Sequence, residues 1–77
     1  MAKKSAAENH KGVYRVIDVI GSSPVSWEEA AKIAIDTAGH SLRDLRIAEV
    51  MKQDVKIEGG KIVAYRTRLS LSFKYEA

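Results

Sequence analysis

The stretch EGGKIVAYRTRLSLSFKYE, residues 58–76, alternates more sharply than any other part of the chain. Val63, Tyr65, Thr67, Leu69, Leu71, Phe73 and Tyr75 fall on one side; Ala64, Arg66, Arg68, Ser70, Ser72 and Lys74 fall on the other. A period of two residues with one apolar side is the pattern of a strand whose one face is buried. The spacing predicts a strand over 62–75 with the tyrosine–leucine–phenylalanine side in the core. Immediately before it, Gly59 and Gly60 stand between two β-type runs, as in a two-residue hairpin turn. The preceding run, 46–58, therefore reads as its antiparallel partner. In that run Ile47, Glu49, Met51, Gln53, Val55 and Ile57 alternate with Arg46, Ala48, Val50, Lys52, Asp54 and Lys56, and neither side is cleanly polar.

Upstream, GVYRVIDVIG (12–21) is rich in β-branched residues and bounded by glycines, which predicts a strand over 14–20. Tyr14, Val16, Asp18 and Ile20 share one side, and Arg15, Ile17 and Val19 the other. Apolar groups on both sides imply that both are covered. Between this strand and the hairpin lies SSPVSWEEAAKIAIDTAG (22–39). Ser26 suits an N-cap and Glu29, three residues on, completes a capping box. Glu28 and Glu29 complement the positive end of the helix dipole. Trp27, Ala30, Ala31, Ala34, Ile35 and Ala38 recur at helical spacing, a stripe of mostly small side chains. The helix is expected over 27–38, ended by Gly39 in the left-handed conformation. Trp27, the only tryptophan, continues the stripe at the first helical position. It is read as a lid on the helix–sheet core in preference to a stacking platform for a ligand.

The predicted class is α+β, with element order β-α-β-β. The first strand is expected beside the third, in an all-antiparallel sheet of order 1-3-2 wrapped around one helix. One short helix cannot cover strands of this length. The excess sheet and its mixed second face call for cover from other copies of the chain. A 77-residue chain without cysteine has no disulfides to stabilise a thin core, and its two histidines, His10 and His40, leave zinc without ligands. Oligomerisation is the remedy that remains.

Charge narrows the function. The formal net charge is +3, of which Lys3, Lys4 and Lys11 against Glu8 place +2 in residues 1–12. Residues 13–77, the single expected domain, carry only +1, which is no footprint for nucleic acid. Residues 1–12 contain no large apolar group after Met1 and are expected to form a flexible extension without the apolar run of a signal peptide. No apolar segment reaches membrane-spanning length, and a cytoplasmic location is the expectation. No nucleophile–base–orienter set is visible, so catalysis is not expected. A small RNA-binding module is the rival fold-level reading. Against it, the aromatic residues Tyr65, Phe73 and Tyr75 lie on the core side rather than on an exposed platform. A ligand-independent scaffold is a further alternative.

Taken together, YRVIDVIGSSPVSWEEAAKIAI, LRDLRIAEV, the QD pair and AYRTRLSLSFKYE resemble the dodecins. The resemblance covers residues 13–76 and lies in the joint order of the pieces. It implies a hollow homododecamer of 23 symmetry that binds flavin between subunits without being an enzyme; some members bind coenzyme A. In flavin-binding members a tryptophan two residues before the E-V pair stacks on the ring, and a glutamine on the last strand bonds its polar edge. Those positions are Ile47 and Arg66 here, and Arg46, Ile47 and Arg66 are the expected lining of the equivalent pocket. Isoleucine removes aromatic stacking worth on the order of 0.5–1.5 kcal/mol per pair. Arginine donates to flavin carbonyls but accepts nothing. FMN or riboflavin thus has a weakened site. The sequence also resembles the branch of the family that lacks the tryptophan and in which calcium is the alternative ligand. Asp18, Glu49, Gln53 and Asp54 are candidate oxygen donors, although they form no recognised calcium loop.

Overall fold

The computed structural model describes residues 12–74. Tyr75, expected on the core side, and the expected extension up to Lys11 lie outside the described residues. The elements are β1 (Tyr14–Ser23), α1 (Trp27–Ser41), β2 (Leu45–Glu58) and β3 (Lys61–Lys74). The sheet is antiparallel throughout, in the order β1-β3-β2. This is the expected topology.

Each element begins where the local chemistry directs. The Ser26 hydroxyl accepts from the Glu29 N–H at 3.0 Å, which satisfies one of the free donors of the first helical turn. Upstream, the buried Ser23 hydroxyl accepts from the N–H of Val25 at 2.9 Å and so shapes the bend around Pro24. The helix runs beyond its expected end. Gly39 and His40 stay helical, and the backbone N–H of Leu42 bonds the Ala38 carbonyl to close the last turn. Gly39 is thus not the terminator; the left-handed residue in this region is Asp44, with φ 57°. In the hairpin, Gly59 and Gly60 both have positive φ, 57° and 76°, as a primed two-residue turn requires.

The core lies between α1 and the β1–β3 half of the sheet. Ala30 and Ala34 of the small-residue stripe are buried, as are Leu69 and Leu71 of β3. Ile17, Val19, Ile35, Ala38 and Leu45 pack around them. Close approach of α1 to β1 depends on Gly21. A Cβ there would overlap the Ala30 carbonyl oxygen and lie 2.9 Å from the Ala34 Cβ. The helix barely reaches β2. Consequently Val50 is exposed although it pairs with buried Leu69.

Strand β2 departs from simple alternation. Its pairing with β3 skips Arg46 and Met51, and the register shifts again between Lys56 and Ile57. Each extra residue reverses which side the following residues face and adds right-handed twist. Ile47 and Glu49 therefore do not share a face with Gln53 and Val55, contrary to the alternation read from sequence. The added twist curls the sheet around the helix.

Candidate functional site

The sheet face turned away from α1 carries ion pairs that link its strands. In antiparallel pairs, directly opposed residues project to the same side. Along β3, the outward residues Ser72, Ser70, Arg68 and Arg66 each head a row across the sheet. The rows are Val16–Ser72–Ile47, Asp18–Ser70–Glu49, Ile20–Arg68–Lys52 and Ser22–Arg66–Asp54. Gln53 opposes buried Thr67 and so faces the helix side, apart from the three carboxylates.

Two arginines are held by carboxylates. Arg66 donates to Asp54 through Nε at 2.7 Å and through a terminal amine at 2.8 Å, a two-pronged pair. Arg68 donates to Asp18 at 3.1 Å across the β1–β3 seam. The Arg66 hydrogen bonds hold the Asp54 carboxyl below its ordinary 3.8, and Asp54 in turn raises Arg66. Glu49 makes no ion pair among the described residues. Arg46, left out of the ladder at the bulge, has its guanidinium 3.9 Å from Asp44.

Asp54 is also tied to the helix. The Trp27 indole N–H donates to the Asp54 backbone carbonyl at 2.9 Å. The indole meets the Tyr65 ring edge-on, centroids 5.1 Å apart, and the Thr67 hydroxyl donates to the Trp27 carbonyl at 2.8 Å. Trp27 thus caps the helix–sheet core and is engaged on its polar edge as well as its ring.

The expected pocket residues stand as follows. Ile47 is 57% exposed at one end of the outward face, with Ser72 of β3 between it and Val16. Arg66 belongs to the same face, but its row lies six residues along β3 from that of Ile47, about 20 Å at 3.3 Å per residue. One chain does not bring the two together. The same holds for a cation. Asp18 and Glu49 sit two strands apart, roughly 9.6 Å between backbones, and the described residues contain no group of three acidic or histidine side chains able to hold a metal. The Asp54–Arg66 and Asp18–Arg68 pairs were not foreseen. Alternation alone places both arginines on one side, but their partners depend on the register across strands.

The comparisons agree with the fold. The sequence model of the dodecin family matches residues 13–76, and the chain belongs to that family. It is 47% identical, over 62 residues, to the calcium dodecin of Mycobacterium tuberculosis, covering 80% of this chain and 87% of that one. The crystal structure of that calcium-chelating antigen, described with a novel calcium-binding site, superposes with a TM-score of 0.76 at 48% identity over 84% of this chain and 93% of the other. Dodecin from Streptomyces coelicolor superposes with a TM-score of 0.82 at 32% identity, covering 88% and 97% of the two chains.

Proposed function

We propose that the chain forms a non-enzymatic, cytoplasmic homododecamer that binds a small ligand between subunits, and that this ligand is calcium in preference to flavin. The observation that carries the preference is Ile47. The residues present do not fit a flavin of the kind the family stacks: position 47 offers no aromatic ring, and the Arg66 guanidinium is already engaged by Asp54. Oxygen donors suit a hard cation. On the outward face Glu49 makes no ion pair among the described residues, whereas Asp18 and Asp54 are held by Arg68 and Arg66; one carboxylate does not close around an ion, so carboxylates from more than one subunit have to meet. The similarity to a calcium dodecin supports the same choice. With Arg46, Ile47 and Arg66, these carboxylates make up the proposed intersubunit lining.

The test is a pair of titrations on the purified protein. Calcium is followed calorimetrically, and riboflavin and FMN by quenching of their fluorescence. The expected result is saturable calcium binding at fewer ions than chains, because subunits share each ion, with no saturable quenching at micromolar protein. Saturable quenching at a fixed flavin-to-chain ratio, without calcium heat, would reinstate flavin as the ligand. Replacement of Ile47 by a charged residue should then abolish it.

A further inference from the structure

The two aspartates of the outward face are occupied by arginines of the strand that lies between them. Asp54 accepts through both carboxylate oxygens, Oδ1 from the Arg66 Nε at 2.7 Å and Oδ2 from a terminal amine at 2.8 Å. Asp18 accepts through Oδ2 from Arg68 at 3.1 Å. Arg66 and Arg68 stand two residues apart on β3, and one reaches across to β2, the other to β1. Within the four rows of this face, Arg66, Arg68 and Lys52 balance Asp18, Glu49 and Asp54 in formal charge. All four paired side chains are about half exposed, and ion pairs so exposed are weak enough for another cation to open. The Asp54 backbone is held separately. Its carbonyl accepts from the Trp27 indole N–H at 2.9 Å, and Trp27 is fixed in turn by the Tyr65 ring and the Thr67 hydroxyl. Opening the ion pair therefore leaves the carboxylate at the same place on the face.

We infer that Arg66 and Arg68 are tethered cations that compete with the ligand ion for Asp54 and Asp18, and that Arg66 above all sets how tightly the face takes calcium. The inference rests on the calcium reading above. A calcium ion bonds carboxylate oxygens directly. The guanidinium of Arg66 covers both oxygens of Asp54, so an ion that uses this carboxylate fully has to turn the arginine out into solvent. Leaving the arginine in place would instead set its charge beside a divalent cation of the same sign. Arg68 holds Asp18 by one printed bond at a longer distance and is the easier of the two to displace. Glu49 makes no ion pair among the described residues and is the carboxylate an arriving ion meets first. The order of engagement is then Glu49, Asp18, Asp54. A divalent ion gains more from a carboxylate than the single charge of an arginine does, whereas a monovalent ion has no such advantage. The arginines thereby keep the face neutral at rest and raise the threshold for occupation.

The test is calorimetric titration of calcium chloride into the full-length chain and three variants. Arg66→Thr removes the competitor and should bind calcium more tightly, by roughly fivefold or more, the worth of an exposed ion pair that no longer has to be opened. A gain of affinity is not what a merely damaged fold produces. Arg66→Lys keeps the charge but loses the two-pronged contact, and its affinity should fall between those of the wild type and Arg66→Thr. Lys32→Gln removes the same charge from the exposed Lys32–Asp36 pair on the helix and should bind as the wild type does. Equal calcium affinity in the wild type and Arg66→Thr, or an equal rise in Lys32→Gln, would overturn the inference and leave the calcium reading standing. Absence of calcium binding in the wild type and Arg66→Thr alike would overturn the calcium reading, and the inference with it.

Discussion

Asp54 is bound from two directions, its carbonyl by the Trp27 indole N–H and its carboxylate by Arg66. One residue of β2 thereby joins the start of the helix to the outward face of β3. The carboxyl is held below its ordinary 3.8 chiefly by the Arg66 hydrogen bonds. A depressed acid binds its proton more readily in the unfolded chain, so the pair's contribution is present above the unfolded value. It is lost as the pH falls through the lower folded one. Thermal stability should therefore decline across the acid range from about pH 3.8 downward. In Asp54→Asn the part of that decline owed to the pair should vanish, which melting curves collected against pH would show. An unaltered acid profile in the variant would mean that solvent screening leaves this exposed pair without measurable effect.

The elements differ in how much they owe to local chemistry. The start of α1 is set by Ser26 and the glutamates that follow it, all within one turn. Its end is not, because Gly39 is conformationally permissive and obliges nothing; Leu42 closes the turn three residues beyond Gly39. Strand β1 depends on a distant contact at Gly21, where the helix backbone occupies the space a side chain would need. Gly21→Ala should lower stability by at least about 2 kcal/mol, the cost of forcing backbone apart in a packed layer, measured by urea unfolding. The same substitution at Gly39, where nothing lies near the added methyl, should leave stability unchanged or slightly raise it.

The whole subunit buries few large groups. Leu69 and Leu71 are the only large apolar side chains fully enclosed among the described residues, while Val16, Ile20, Ile47, Val50, Met51, Ile57 and Ile62 are half exposed or more. In the proposed assembly a chain with this balance would draw stability from its neighbours, and association free energy would then appear in the melting temperature. Dilution should lower the midpoint, by roughly 4–8 °C for each kcal/mol of association withdrawn in a domain this small. Scanning calorimetry over a hundredfold range of concentration measures it, and a midpoint independent of concentration would mean that the subunit is stable alone or dissociates too slowly to respond.

What the sequence by itself determined is local or summed over the chain: the helix cap, the glycine turn, the alternating third strand and the order β-α-β-β. Together with the shared pattern, these indicated the family. They were legible because periods of 2 and 3.6 residues and capping hydrogen bonds involve near neighbours. The tertiary structure alone decided which residues meet across strands. The residue skipped in β2 at Met51 turned Gln53 away from Glu49 and brought Asp54 to the face of Glu49, and register set Asp54 beside Arg66. It also showed Ile47 and Arg66 on one face yet about 20 Å apart. Pairing register and bulges arise from contacts between distant segments, where one inserted residue reverses a face without altering the composition that announces the strand.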